Sequence, residues 1–169
     1  MKTTYEERGL KFAVILAKMF QACVYLEDFV SVIEHYNETH SRKLRWSNGV
    51  SRIVIIRSDY VIKFDYHPNR FWEDGRAGNC ESEEEVYQIA VEDGMEHLLA
   101  KPTVRHLFNH TVSIMPKING IGDGRRNWWE HCTREEYLWL EDNINDLHDK
   151  NLGYRNKKVC VIDYAWYAY

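Results

Sequence analysis

Apolar residues recur at three- and four-residue steps through Phe12, Ile15, Leu16, Met19, Phe20, Cys23, Leu26, Phe29, Val30 and Ile33. That period predicts helix over about residues 5–40, as one helix or as two with a break at Glu27-Asp28, where neither Gly nor Pro punctuates the pattern. The period then changes. Ser47-Asn48-Gly49 is a turn signal, and the β-branched and aromatic runs 53–56 and 60–66, separated by Arg57-Ser58-Asp59, predict a hairpin. Residues 67–79, with Pro68, Gly75 and Gly78, read as a loop. Helical spacing returns over 81–100 through Val86, Ile89, Ala90 and Leu98. Strands are expected at 104–108 and 111–118 around a turn at Asn109-His110, then a linker at 119–126 holding Gly120, Gly122 and Gly124. A helix follows at 133–144, opened by Thr133-Arg134-Glu135-Glu136 as a capping box. A polar loop leads to a short buried strand at 159–162, and no internal repeat or low-complexity tract interrupts the chain.

Composition narrows the partners. The 169 residues carry 22 Lys and Arg against 26 Asp and Glu, a formal net charge of −4, which argues against a broad nucleic-acid face or a polybasic membrane anchor. With 44% hydrophobic residues the chain has enough apolar surface for one domain, or one compact unit with two small lobes. Cys23, Cys80, Cys132 and Cys160 lie far apart with no CxxC pair, so neither a zinc ribbon nor a thioredoxin-type motif is present, and a reduced, cytoplasmic protein is expected. Glu6, Glu7 and Arg8 stand where a signal peptide would need a basic segment and an apolar core. The longest apolar stretch, 12–26, is interrupted by Lys18 and Gln21 and is shorter than the roughly 20 residues that span a bilayer.

The order of a few polar residues carries the chemistry. Lys63 ends the run Val61-Ile62-Lys63 on the second predicted strand, and its apolar neighbours Ile62 and Phe64 would point away from it because side chains alternate across a strand. The next helix opens with Glu81, Glu83, Glu84 and Glu85. A buried Lys needs an anionic partner. Glu83 is the first choice, because Val86, Tyr87 and Ala90 follow it at three, four and seven residues, and Glu84 is the second. Met115-Pro116 ends a strand. Asp146-Leu147-His148-Asp149-Lys150-Asn151 has the form D-L-x-x-x-N, and Asp163 follows a short strand twelve residues after Asn151.

In this order the residues from about 46 to 165 resemble the protein-kinase-like fold, and in particular its short versions, the aminoglycoside-phosphotransferase-type kinases and the early protein kinases of short-tailed bacteriophages. The resemblance implies an α+β, bilobal fold. It divides the chain into an N-terminal helical segment at 1–46, a small antiparallel sheet lobe at 47–118 and a truncated helical lobe with the catalytic loop at 119–169. It implies ATP and Mg²⁺ as cofactors. Lys63, held by Glu83, would contact the ATP phosphates; Asp146 would orient the acceptor hydroxyl; Asn151 and Asp163 would hold the metal. Gly49 and Arg52 take the place of the glycine-rich loop, with a single Gly, and Met115 falls at the hinge beside the nucleotide. His148 lies inside the catalytic loop, where a structural hydrogen bond is its expected task. The partner would be a host protein, as substrate of a phage-type Ser/Thr kinase or as target of an inactive pseudokinase. The second alternative draws on the single-Gly loop and on the six residues that follow Asp163, too few for an activation segment. A small-molecule kinase is a third reading, from the Asp-Leu-His string. The remaining histidines read as surface or core residues, and the aromatic-rich segment 165–169 as one that folds back or meets a partner.

Overall fold

The computed structural model describes residues 3–49, 51–66, 80–120, 127–145 and 147–164. The loop expected at 67–79, most of the linker at 121–126, the tail at 165–169 and Asp146 lie outside the described residues. The fold is α+β, and contacts divide it into two compact units. The first runs to Glu81 and includes Thr103–Lys117; the second comprises Ser82–Pro102 and the residues from 118 onward.

In the first unit, two helices cover one face of a sheet. Helix α1, Tyr5–Met19, starts at Thr4, whose hydroxyl accepts from the Glu7 amide while the Glu7 carboxylate accepts from the Thr4 amide. Its buried face is Gly9, Ala13, Leu16 and Ala17. The small residues permit close approach: a Cβ on Gly9 would meet Ile114 Cγ2 at 2.5 Å. Helix α2, Leu26–Thr39, begins after a break at 20–25, earlier than expected, and Glu27 and Asp28 stand in its first turn. Asp28 makes that break without Gly or Pro, because its carboxylate accepts from the amides of Val24 and Tyr25, both at 2.9 Å. Those two bonds also lower its pKa.

The sheet has strands β1 (Arg45–Asn48), β2 (Arg52–Ile56), β3 (Tyr60–Asp65), β4 (Thr103–Leu107) and β5 (His110–Pro116), all antiparallel, in the order β1-β2-β3-β5-β4. Ile53, Ile55, Ile62, Phe64, Val112 and Ile114 enter the core with Leu16, Phe20, Phe29 and Ile33 of the helical layer. Phe20 packs at 4.9 Å from Phe29 and 5.1 Å from Phe64, and its carbonyl accepts from His110 Nε2. The expected hairpin is β2–β3. Strand β1 was not expected, since Ser47 and Asn48 belong to it and the turn starts only at Gly49. The turn before β5 lies at Phe108-Asn109, with Phe108 at φ 54°, one residue earlier than expected.

The second unit holds most of helix α3, Cys80–Glu92, whose first two residues belong to the first unit. The helix ends well before residue 100, because Gly94 takes φ 72° just past its C-terminus. A short 3-10 turn, Glu96–Leu98, follows, and Leu99 then bridges Val161. Strand β6 (Asn119–Gly120) pairs with β7 (Leu152–Arg155), which pairs with β8 (Lys158–Val161). Strand β7 occupies what read as a polar loop. Its turn, Asn156-Lys157, has φ of 54° and 68°, the double positive φ of a tight hairpin. Gly153 is required where β6 crosses β7: a Cβ there would lie 2.7 Å from the Asn119 carbonyl oxygen.

Helix α4, Arg134–Asn143, has the expected capping box, with Glu136 amide to Thr133 Oγ1 at 3.1 Å and Thr133 amide to Glu136 Oε2 at 2.7 Å. The other Glu136 oxygen meets His97 Nε2 at 2.7 Å and Lys158 Nζ at 3.9 Å, tying α4 to the 3-10 turn and to β8. Glu136 is buried, and its pKa is lowered by the Thr133 amide first and by His97 after it.

Two stability predictions follow from these contacts. Gly153→Ala lowers unfolding stability by about 1–3 kcal/mol in denaturant titration, whereas Gly49→Ala, whose Cβ would meet nothing closer than 3.9 Å, changes it by less than about 0.5 kcal/mol. A lowered folded-state pKa means Glu136 stabilises the protein above the ordinary carboxylate range and loses that contribution as pH falls through its folded value. Glu136→Gln is therefore less stable than wild type at pH 7, and the gap closes between about pH 5 and pH 3 in paired melts.

Candidate functional site

Strand alternation decides where the polar residues of the first unit go. With Ile62 and Phe64 in the core, Lys63 faces the other side of the sheet, with 4% exposure. Register places Val54 and Ser113 on either side of it, and Val104 beyond Ser113. One step along, Met115 faces Val61 on the same side and is fully buried at the end of β5. Arg52 is the first residue of β2, buried, opposite Asp65 and on the face that carries Lys63. It is thus a strand residue and not part of a loop. Gly49 lies in the β1–β2 turn; its amide donates to the Arg52 carbonyl at 2.9 Å and its carbonyl accepts from the Tyr66 hydroxyl at 2.5 Å.

Asp65 has a role that local sequence does not signal. Its two carboxylate oxygens accept from the Cys80 amide at 3.1 and 3.2 Å, so a side chain fifteen residues upstream caps α3. The Cys80 thiol donates to the Lys63 carbonyl, and Glu81 Oε1 meets His106 Nε2 at 3.3 Å. The start of α3 is therefore pinned to β3 and β4. Along that helix, Glu81 and Glu85 are exposed and Glu84 is half-buried, while Glu83 is fully buried on the face of Val86 and Ala90. Helical spacing sets Glu83 one turn beyond Cys80.

In the second unit, Asp149–Asn151 form a 3-10 turn behind His148. His148 makes a local structural contact, its Nδ1 accepting from the Lys150 amide at 3.2 Å, and its carbonyl accepts from the Asn151 amide at 2.8 Å. The β7–β8 register pairs Leu152 with Val161, and the bond from the Ile162 amide to the Asn151 carbonyl, 2.8 Å, extends that pairing by one step. Asn151 and Asp163, twelve residues apart in sequence, thus leave the same end of one hairpin. Asn151 is buried and Asp163 half-buried. Just beyond, the Tyr164 hydroxyl donates to the Ala100 carbonyl at 2.6 Å, which anchors the segment after β8. An amide oxygen and a carboxylate are hard-oxygen donors of the kind Mg²⁺ takes.

A separate groove of about 350 Å³ in this unit is lined by Trp129, Cys132, Thr133, Arg134 and Tyr137, none of them expected from sequence as a site residue. Burial pushes the Cys132 thiol up to about 11, and Cys23 and Cys160 are raised similarly, so all three are neutral thiols near pH 7. All four cysteines are free, and no helix among the described residues is long and apolar enough to cross a membrane.

No protein-family model matches the sequence, and none of the curated proteins matches it. Among solved structures, the chain is similar to the Legionella pneumophila Lpg2603 kinase bound to IP6, at 18% identity and a TM-score of 0.46 over 75% of this chain and 51% of that one. It is also similar to WbdD, a bifunctional kinase-methyltransferase. The match to WbdD with the kinase inhibitor LY294002 has 18% identity and a TM-score of 0.38, covering 72% of this chain and 32% of that one. A second WbdD structure gives 16% identity and a TM-score of 0.40, covering 73% and 34%. The chain thus spans about half the length of the first of these proteins and about a third of the second.

Proposed function

We propose that the protein is an ATP- and Mg²⁺-dependent phosphotransferase that passes the γ-phosphoryl group to a protein hydroxyl, as a phage-type Ser/Thr kinase acting on host proteins would. The observation that carries this reading is the burial of Lys63 on the sheet face turned away from the helical layer, where an ammonium needs oxygens around it. Phosphoryl transfer needs a cation on the phosphates, oxygen ligands for the metal, and a carboxylate at the attacking hydroxyl. In this reading Lys63 is the cation, kept in place by Glu83, which is the one fully buried residue of the acidic run. Asn151 and Asp163 hold Mg²⁺, which when bound neutralises charge on the phosphates. Asp146 accepts the proton of the acceptor hydroxyl as its oxygen bonds to the γ-phosphorus and ADP departs with the bridging oxygen. Met115 lines the nucleotide edge, and Arg52 adds positive charge near the β1–β2 turn.

The alternative, an inactive kinase-like protein that binds and inhibits a host or defence protein, is favoured by one feature. The Gly49 amide already donates to the Arg52 carbonyl, so the one glycine of the turn that would cover the phosphates has its N–H engaged.

Transfer from γ-labelled ATP with Mg²⁺, to the protein itself and to a bacterial lysate, separates the two. Label is expected with wild type, at least about a hundred-fold less with Asp146→Ala, and no Mg²⁺-dependent nucleotide binding with Asp163→Ala. Folded wild-type protein that labels nothing would contradict the enzyme and favour the binder.

A further inference from the structure

The two helices of the first unit turn outer faces of opposite charge to solvent. Helix α1 buries Gly9, Ala13, Leu16 and Ala17 and exposes Lys11, Val14, Ile15 and Lys18. The apolar pair Val14 and Ile15, 41% and 56% exposed, lies between the two lysines. Helix α2 buries Phe29 and Ile33 and exposes Glu27, Ser31, Glu34 and Glu38. Lys11 and Lys18 are seven residues apart, as are Glu27 and Glu34, and small Ser31 sits between the acids as Val14 and Ile15 sit between the lysines. None of these four charged side chains forms a hydrogen bond or ion pair among the described residues.

The helices run antiparallel across the sheet. Gly9 of α1 lies against Tyr60, and Phe20, just past the end of α1, packs on Phe64 near the other end of β3. Helix α2 starts beside Phe64 through Phe29 and ends where Asn37 bonds the amide and carbonyl of Leu44, next to Arg45, which pairs with Ile56. Lys18 and Glu27 therefore stand toward one end of the layer, and Lys11 and Glu34 toward the other. A second copy, turned about a two-fold axis along the helices, lays α1 of each chain on α2 of the other. We propose that this face is an interface with a second copy of the chain, in which Lys11 and Lys18 meet the partner's Glu34 and Glu27 and the Val14-Ile15 pair packs over the partner's Ser31. Each pair occurs twice by symmetry. Glu7 and Glu38 make a like-charge match at the outer end, where solvent screens it. Helices of 15 and 14 residues, about 22 Å long and roughly 10 Å apart, offer a small face, so the dimer is weak and salt-dependent. The contact involves neither Lys63 nor nucleotide and is independent of the phosphotransferase reading.

Sedimentation equilibrium of the full chain is run up to about 500 μM, at about 50 mM and about 500 mM salt, for wild type, Lys11→Glu, Glu34→Lys and the double variant. Wild type is expected to show a monomer–dimer equilibrium that moves toward monomer at the higher salt. Either single reversal sets like charges against each other twice and weakens the dimer by about ten-fold. The double variant, with the charges exchanged and the net charge of −4 unchanged, regains wild-type association within about three-fold. Both positions are exposed and lie inside their helices, so the melting temperature of dilute protein stays at the wild-type value. Wild type that remains monomeric throughout would overturn the proposal. So would a dimer that neither salt nor the single reversals weaken, which uses another surface, and so would a loss in the single variants that the double variant fails to restore.

Discussion

Holding an ammonium out of water costs several kcal/mol unless oxygens surround it, and the first unit keeps Lys63 buried on the middle strand of its sheet. The strand leaves it no other place. Once Ile62 and Phe64 are committed to the core with Leu16 and Phe20, alternation turns residue 63 to the opposite face. Arg52, Asp65 and Ser113 lie on that face together with Lys63, among Val54, Val104 and Met115. Asp65, two residues along the same strand, caps the helix whose next turn carries Glu83. A single strand thus presents the lysine and anchors the start of α3.

The second unit solves a different positioning problem. Two oxygen-bearing side chains twelve residues apart come to one end of a hairpin because Asn156 and Lys157 accept positive φ at its tip and Gly153 lets β6 pass close to its backbone. The anchors on either side are hydrogen bonds of short reach, from Ile162 to Asn151 and from Tyr164 to Ala100. Glu136 then fastens α4 to the 3-10 turn and β8 through one oxygen while the other accepts from the Thr133 amide that caps its own helix. Elements joined by hydrogen bonds, and not loops alone, therefore present Asn151 and Asp163.

Much of this was legible where the signal is local. The β2–β3 hairpin follows from β-branched runs around Arg57-Ser58-Asp59, the α4 capping box from Thr133 and Glu136, and the direction of Lys63 from its two apolar neighbours. The burial of Glu83 followed from the helical spacing of Val86 and Ala90. Strands β1 and β7 were not legible, because Ser47-Asn48 and Leu152-Gly153-Tyr154 lack strand character and are ordered by the strands they pair with. Nor was the insertion of β5 between β3 and β4, a long-range pairing that leaves no local mark. The capping of α3 by Asp65 belongs to the same class, since it depends on which distant residue the sheet sets alongside.

The central claim is that Lys63 is buried in order to meet nucleotide phosphates. An acyl-phosphate derivative of ATP transfers its acyl group to an amine lying against the phosphate chain, and peptide mass spectrometry identifies the lysine acylated. Labelling of Lys63, suppressed by excess ATP with Mg²⁺, is the expected result. Labelling confined to exposed lysines such as Lys18 and Lys43, unaffected by ATP, would contradict the assignment.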